Sequence, residues 1–294
     1  MPELPDVEVY REALVERVAG HRLERVELLS PFLLRTVVPP LAAIEGRVVA
    51  EVRRIGKRLV FVFDAKHYLV VHLMIAGRLR WLVSGVKAPA RITLALLHFD
   101  NGRLAFTEAG TKRRASLHLL EGDAALRAFD PGGLEIASLT LRQFADRLRS
   151  ENRTLKRALT DPRLFAGIGN AYSDEILHRA RLSPLLLTSK LDTAGEKRLF
   201  DATRAVLAEW TQRLREEAGG RFPENVTAFR PGMAVHGRFR QPCPVCNAPV
   251  QRIVYADNEC NYCPTCQTGG TMLADRSLSR LLHASWPRSI DETG

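Results

Sequence analysis

Two matched cysteine pairs, Cys243-Pro244-Val245-Cys246 and Cys263-Pro264-Thr265-Cys266, stand sixteen residues apart near the end of the chain, with a fifth cysteine, Cys260, between them. The first 242 residues contain none. Each C-x-x-C turn can place two thiolates about 2.3 Å from one tetrahedral zinc ion. Five thiols crowded into one segment of a chain read as cytoplasmic argue for metal rather than disulfides. The segment is therefore expected to fold as a β-hairpin zinc finger, with strands over 250–255 and 259–262 and Cys243, Cys246, Cys263 and Cys266 as ligands of one Zn2+ per chain. Cys260 is an alternative ligand through Cys260-Asn261-Tyr262-Cys263, but the repeated CPxC knuckle favours Cys266. Four protein ligands close the coordination sphere, so the metal would be structural rather than catalytic.

A finger accounts for little of a 294-residue chain, whose length predicts about two domains. The composition, 46% hydrophobic and 26% charged, excludes wholesale disorder and fibrous architectures. Lys and Arg exceed Asp and Glu by 43 to 33, which raises the expectation of a polyanionic partner such as nucleic acid. The longest apolar stretch, 68–77, contains His72 and is far short of the roughly 18 to 20 residues that span a bilayer. The start of the chain carries acids where a secretory signal has basic residues, so a cytoplasmic, nucleoid-associated protein without a membrane is expected.

The apolar residues Val7, Tyr10, Leu14 and Val18 recur at helical spacing behind Pro5 and predict a helix over 5–18. Short β-branched and aliphatic runs follow at 48–52, 59–63, 68–74, 78–83, 92–98 and 104–107, the pattern of an antiparallel sandwich or barrel. The character changes at Asp130-Pro131-Gly132-Gly133. Helices are predicted over 141–150, 153–159, 171–181 and 193–217, the last opening on a capping-box spacing, Thr193 to Glu196. A glycine-dependent turn, Gly167-Ile168-Gly169-Asn170, joins the second and third, so a basic helix-turn-helix arrangement results. The stretch 221–240 reads as a solvated linker. A last helix is predicted over 275–285.

If aminopeptidase removes Met1, which the small second residue favours, Pro2 presents a secondary amine. Such an amine attacks an aldehydic carbon to give an iminium ion that acidifies the neighbouring C–H bond. Glu3 beside it can shuttle protons. The positive end of the helix disfavours the protonated amine and the Glu3 carboxylate favours it; the sequence leaves the balance open.

With these elements in order, the chain resembles the bacterial Fpg/Nei family, the formamidopyrimidine-DNA glycosylases and endonuclease VIII enzymes. The resemblance rests on Pro2-Glu3-Leu4-Pro5-Asp6-Val7-Glu8, Gly56-Lys57-Arg58-Leu59, His72-Leu73 ahead of Gly77, Gly167-Ile168-Gly169-Asn170 and the terminal finger, through about residue 266. It implies a two-lobed α+β fold: an N-terminal β-sandwich with flanking helices (1–132), a helix-two-turns-helix domain (133–232), the zinc finger (233–270) and a helical extension (271–294), with DNA crossing between the lobes. It also implies a monomeric base-excision DNA glycosylase with AP lyase activity acting on double-stranded damaged DNA. In that scheme Pro2 forms a Schiff base at C1′, β- and δ-elimination follow, Glu3 moves protons, and Lys57 assists near the lesion. The target nucleotide must leave the stack to be reached. His72 and Asn170 match positions that hold backbone phosphates; taken alone, they read as a core histidine and a helix N-cap.

The chain departs from that family in four places. Asp6 stands where Glu is usual. Asn258, flanked by Asp257 and Glu259, stands where a finger arginine is usual, and Arg252, Arg238 or Arg240 could replace its grip. The void-filling wedge is carried by Met74 or Ile75. The opposing Arg-Phe pair is replaced around Lys112-Arg113-Arg114, so Arg113 and Arg114 are the DNA-contacting candidates there. These departures keep an alternative open, a weak or inactive paralogue that binds damaged or branched DNA.

Overall fold

The computed structural model describes residues 1–64, 66–83, 85–110, 112–224, 226–227, 229–255, 258–273 and 289–290. The chain divides into two compact units, Met1–Pro131 with Trp210–Thr227, and Gly132–Glu209 with Ala228–Gly294.

The first unit contains helix α1 (Leu4–Val18), strands β1 (Leu23–Leu28), β2 (Glu51–Ile55), β3 (Arg58–Val62), β4 (His67–His72), β5 (Gly77–Leu82), β6 (Thr93–Phe99), β7 (Gly102–Glu108) and β8 (Ser116–Glu121), and helix α2 (Asp123–Phe129). All strand pairings are antiparallel and make two four-stranded sheets, β1-β6-β7-β5 and β2-β3-β4-β8. Leu97, Phe99, Leu104 and Phe106 of one sheet and Leu59, Phe61, Leu69 and Val71 of the other share one core, so the sheets form a sandwich. Val7, Tyr10, Leu14 and Val18 of α1 are fully buried in that core, as their spacing predicts. Alternate residues of β3 and β4 face the other way. There Val60, Val62, Tyr68 and Val70 pack under Leu126 and Phe129 of α2.

Eight strands form where six are read from the sequence. Strands β1 and β8 are only part-buried and interleave charged or histidine residues, which weakens their apolar signal. The strand expected over 48–52 lies at 51–55, because the two-residue turn Gly56-Lys57 sets its register against β3 from Glu51–Val62 to Ile55–Arg58. Gly56 takes φ +56°, the left-handed conformation that the first position of such a turn demands. The beginning of the stretch read as a solvated linker is packed: the Phe222 ring lies 5.6 Å from Tyr10, the Arg17 guanidinium lies 5.5 Å from the Phe222 ring, and Val226 joins the core.

The second unit contains α3 (Leu141–Arg149), α4 (Leu155–Thr160), α5 (Asn170–Ala180), the hairpin β9 (Gln251–Val254) and β10 (Glu259–Tyr262), and α7 (Pro264–Thr268). Helix α6 (Thr193–Ala218) is divided between the units at residue 209. The α6 cap is not the Thr193–Glu196 box. The Gly195 N–H donates to the Asp192 carboxylate at 2.7 Å, while buried Glu196 takes the Arg149 guanidinium at 2.6 and 2.5 Å. Asp161, in the turn between α4 and α5, accepts from Arg153 at 2.5 Å and from Arg163 at 2.8 Å. The helix expected over 275–285 lies outside the described residues. Among those described, no helix is long and apolar enough to cross a membrane.

Candidate active site and metal centre

Three connections build the start of the chain into a site. Glu3 is the N-cap residue of α1, and its backbone N–H donates to the Asp6 carboxylate at 2.9 Å. Asp6, shorter than the usual Glu, thus still closes the end of the helix; Pro2, Glu3 and Asp6 are all buried. The Tyr10 hydroxyl donates to the Leu79 carbonyl at 3.4 Å, seating α1 on β5. Arg54 donates to the Glu8 carboxylate at 3.2 Å and to the Gly56 carbonyl at 2.8 Å, which holds the turn bearing Lys57 beside α1.

These connections bring Lys57 and Arg78 into the electrostatic environment of the first amine. Burial holds the Met1 amine below its ordinary value; the Glu3 and Asp6 carboxylates pull it up, and Arg78 and Lys57 push it down. Burial, which the sequence could not supply, is the largest influence on that Met1 amine. Arg78 and Arg54 were missed in the sequence. Nothing marks Arg78 except its place after Gly77, and Arg54 acts through a contact 46 residues away along the chain.

His72 ends β4, and its ring is half-buried, with no hydrogen bond to a described residue. Burial, with Arg58, Lys57 and His118 adding to it, pushes its pKa down to about 4, so the ring is neutral at pH 7. The turn after it closes when the Gly77 N–H donates to the Leu73 carbonyl at 2.9 Å. A Cβ at Gly77 would lie 2.3 Å from that oxygen, so only glycine fits. Of the two wedge candidates in this turn, Met74 is half-buried with φ +52° and Ile75 is 57% exposed. Arg113 and Arg114 are exposed, in a loop whose end is held by buried Glu108 through the N–H groups of Arg114 and Ala115 at 3.0 and 3.2 Å.

In the second unit Asn170 is the first residue of α5 and Gly169 is the N-cap, which corrects the reading of Asn170 as the cap. The extended backbone at Gly169 starts the helix one residue earlier than side-chain preference suggests. The Asn170 amide donates instead to the Glu259 carbonyl at 2.8 Å, tying α5 to the finger hairpin beside exposed Asn258. Below it, the Lys156 ammonium donates to the Asn170 carbonyl at 2.7 Å and to Asp174 at 2.5 Å, and the other Asp174 oxygen lies 2.8 Å from His236 Nδ1. Of the arginines offered as a replacement grip, Arg238 donates to the carbonyls of Met233 and Pro242 at 3.0 Å each. Arg252 pairs with Glu259 at 3.0 Å and stacks 4.3 Å from the Phe239 ring.

The Sγ atoms of Cys243, Cys246, Cys263 and Cys266 lie within 4.8 Å of one another and could hold a metal ion. Sulfurs of a tetrahedral zinc site are about 3.8 Å apart; Cys243 and Cys266 are separated by 3.9 Å and Cys246 and Cys263 by 3.3 Å. Cys260 is outside this group, buried beside Asp174. His178 Nε2 of α5 lies 3.3 Å from Cys243 Sγ, a contact of the kind that orients a metal ligand.

Comparison with known proteins bears on both units. Residues 1–115 match the formamidopyrimidine-DNA glycosylase N-terminal domain and residues 133–216 match the formamidopyrimidine-DNA glycosylase H2TH domain. A formamidopyrimidine-DNA glycosylase of Thermus thermophilus is 37% identical over 281 residues, covering 92% of this chain and 100% of the relative. An uncharacterized formamidopyrimidine-DNA glycosylase-like protein of Mycobacterium tuberculosis is 41% identical over 156 residues, 53% of this chain and 95% of its own length. Among solved structures, Lactococcus lactis Fpg in complex with DNA containing an abasic site superposes with a TM-score of 0.80 at 25% identity, over 90% of this chain and 99% of that one.

Proposed function

The chain belongs to the formamidopyrimidine-DNA glycosylase family of base-excision DNA glycosylases with AP lyase activity, and from that premise we propose how its own residues carry the reaction. The observation that supports the assignment most directly is the burial of Pro2, Glu3 and Asp6 at the start of the chain, with Lys57 and Arg78 near enough to act on its first amine.

Once Met1 is removed, the Pro2 nitrogen attacks C1′ of a damaged nucleotide turned out of the duplex. The bond from C1′ to the base breaks, and the base leaves with its electron pair and takes up a proton. The attached amine loses its proton, and its lone pair then forms the C1′–N double bond as the C1′–O4′ bond breaks and O4′ takes up a proton, which opens the sugar to a cationic Schiff base. Loss of a C2′ proton then expels the 3′ phosphate, and a second elimination expels the 5′ phosphate. Glu3 gives and takes these protons. Attack requires Pro2 to be unprotonated, since only the free lone pair is nucleophilic. Lys57 steadies the developing negative charge beside it.

His72 and Asn170 bind phosphates flanking the lesion. Ile75, the more exposed of the two wedge candidates, fills the vacated stack, and Arg113 and Arg114 face the orphaned base. Zn2+ is the metal that suits the four thiolates; when bound it braces the hairpin and takes no part in the chemistry. The substrate is damaged double-stranded DNA, the enzyme works as a monomer because one chain carries the whole set, and it works in the cytoplasm at the nucleoid.

A duplex with a single oxidised base tests this reading. The wild type should release the base and nick the strand, and Glu3→Gln should bind equally while excising about 10²- to 10⁴-fold more slowly. Tight binding without nicking by the wild type would establish the non-excising paralogue instead.

A further inference from the structure

On the outer face of the sheet β2-β3-β4-β8, the register sets Arg58, His72 and Ser116 in one row, each directly opposite the next. His118 lies two residues along β8, opposite Val70 and therefore on the same face. The Phe129 ring of α2 sits between the two ends of this group: the Arg58 guanidinium lies 4.8 Å from its centroid and the His118 ring meets it edge-on at 4.7 Å. Ser116 Oγ lies 3.2 Å from His118 Nε2. Among the described residues, Arg58 Nε is buried without a hydrogen-bond partner. A buried cationic donor that lacks an acceptor is an unfavourable arrangement unless a ligand supplies one.

The surroundings say what that ligand is. Arg58 and Lys57 both act on His72, and Arg58 and Arg35 both act on His118, so two neutral imidazoles share a field of three cations. The carboxylate that opposes Arg58 is Asp130. Donors in excess of acceptors, converging on one face at the end of the sheet where Lys57 turns, suit a compact anion with several acceptor oxygens. We propose that Arg58, His72, Ser116 and His118 form a phosphate site that takes one backbone phosphate of the damaged DNA. The inference rests on the reading of the chain as a DNA glycosylase, and it adds Arg58, Ser116 and His118 to the groups named there. It also places part of the grip lost at Asn258 on the sandwich rather than on the finger.

A methylphosphonate scan tests it. Each linkage around a tetrahydrofuran abasic analogue is made neutral in turn, and the affinity of the wild type and Arg58→Met is measured. In the wild type one linkage should weaken binding about tenfold when neutralised. In Arg58→Met, which keeps the apolar stem over Phe129, that same linkage should cease to matter, and the slope of log K against log salt should be shallower by about 0.9. Arg58→Lys should restore most of the slope, and His118→Leu should reproduce part of the loss if Arg58→Met proves unstable. A linkage profile indifferent to residue 58, or displacement of Arg58→Met and wild type by the same concentration of inorganic phosphate, would overturn the site. A wild type without preference for the abasic duplex would instead overturn the glycosylase reading beneath it.

Discussion

The backbone N–H of Glu3 is bonded to the carboxylate of Asp6 at 2.9 Å, inside a buried first turn, so the backbone of the residue proposed to move protons is fixed by its neighbour three positions on. Asp6→Ala leaves that N–H buried without an acceptor, a cost of about 1 to 3 kcal/mol. Urea unfolding should register that loss, and single-turnover excision should slow while DNA affinity holds. Asp6→Glu should recover both.

Asp174 sits between Lys156 at 2.5 Å and His236 at 2.8 Å, with almost no solvent access to any of the three. Removing the carboxylate strands a buried ammonium, so Asp174→Ala should destabilise the protein by about 3 to 5 kcal/mol. Lys156→Met combined with Asp174→Leu should be far milder than either change alone, which a double-mutant cycle in denaturant will show.

Removing one thiolate should dismantle the finger. Cys243→Ser is expected to lose bound zinc by elemental analysis and to abolish DNA binding, while circular dichroism retains the strand signal of the sandwich. His178→Phe, which removes the contact to Cys243 and leaves all four sulfurs, should release zinc to a chelator more readily than the wild type.

His72 carries a pH signature. Its pKa falls from 6.5 unfolded to about 4 folded, through burial first and then the cations Arg58 and Lys57. The unfolded chain therefore binds the extra proton between those values. The stability that His72 contributes is complete above about pH 6.5 and is lost as the pH falls toward 4. Thermal melts of the DNA-free protein across that window should fall less steeply for His72→Leu than for the wild type.

What could be read in advance follows physical lines. Helix α1 was legible because Val7, Tyr10, Leu14 and Val18 mark one buried face, and the four finger cysteines because their spacing is itself a geometry. Strand β1 was not, because Glu24, Arg25 and Glu27 leave it little apolar alternation. The α6 cap was misplaced by one residue because Asp192 and Thr193 are both good caps and only the demand of Arg149 for Glu196 separates them. Pro2, Glu3 and Lys57 stood out as candidates. Arg54 and Arg78, which place and charge that site, depend on contacts made only when β2 and β5 fold against α1.

Borohydride reduction of the enzyme with abasic DNA, followed by peptide mass spectrometry of the trapped adduct, tests the central claim most directly. The account predicts one adduct, on a terminal peptide that begins at Pro2. An adduct on Lys57 or another lysine, or a purified protein that retains Met1 and nicks the strand all the same, would contradict it.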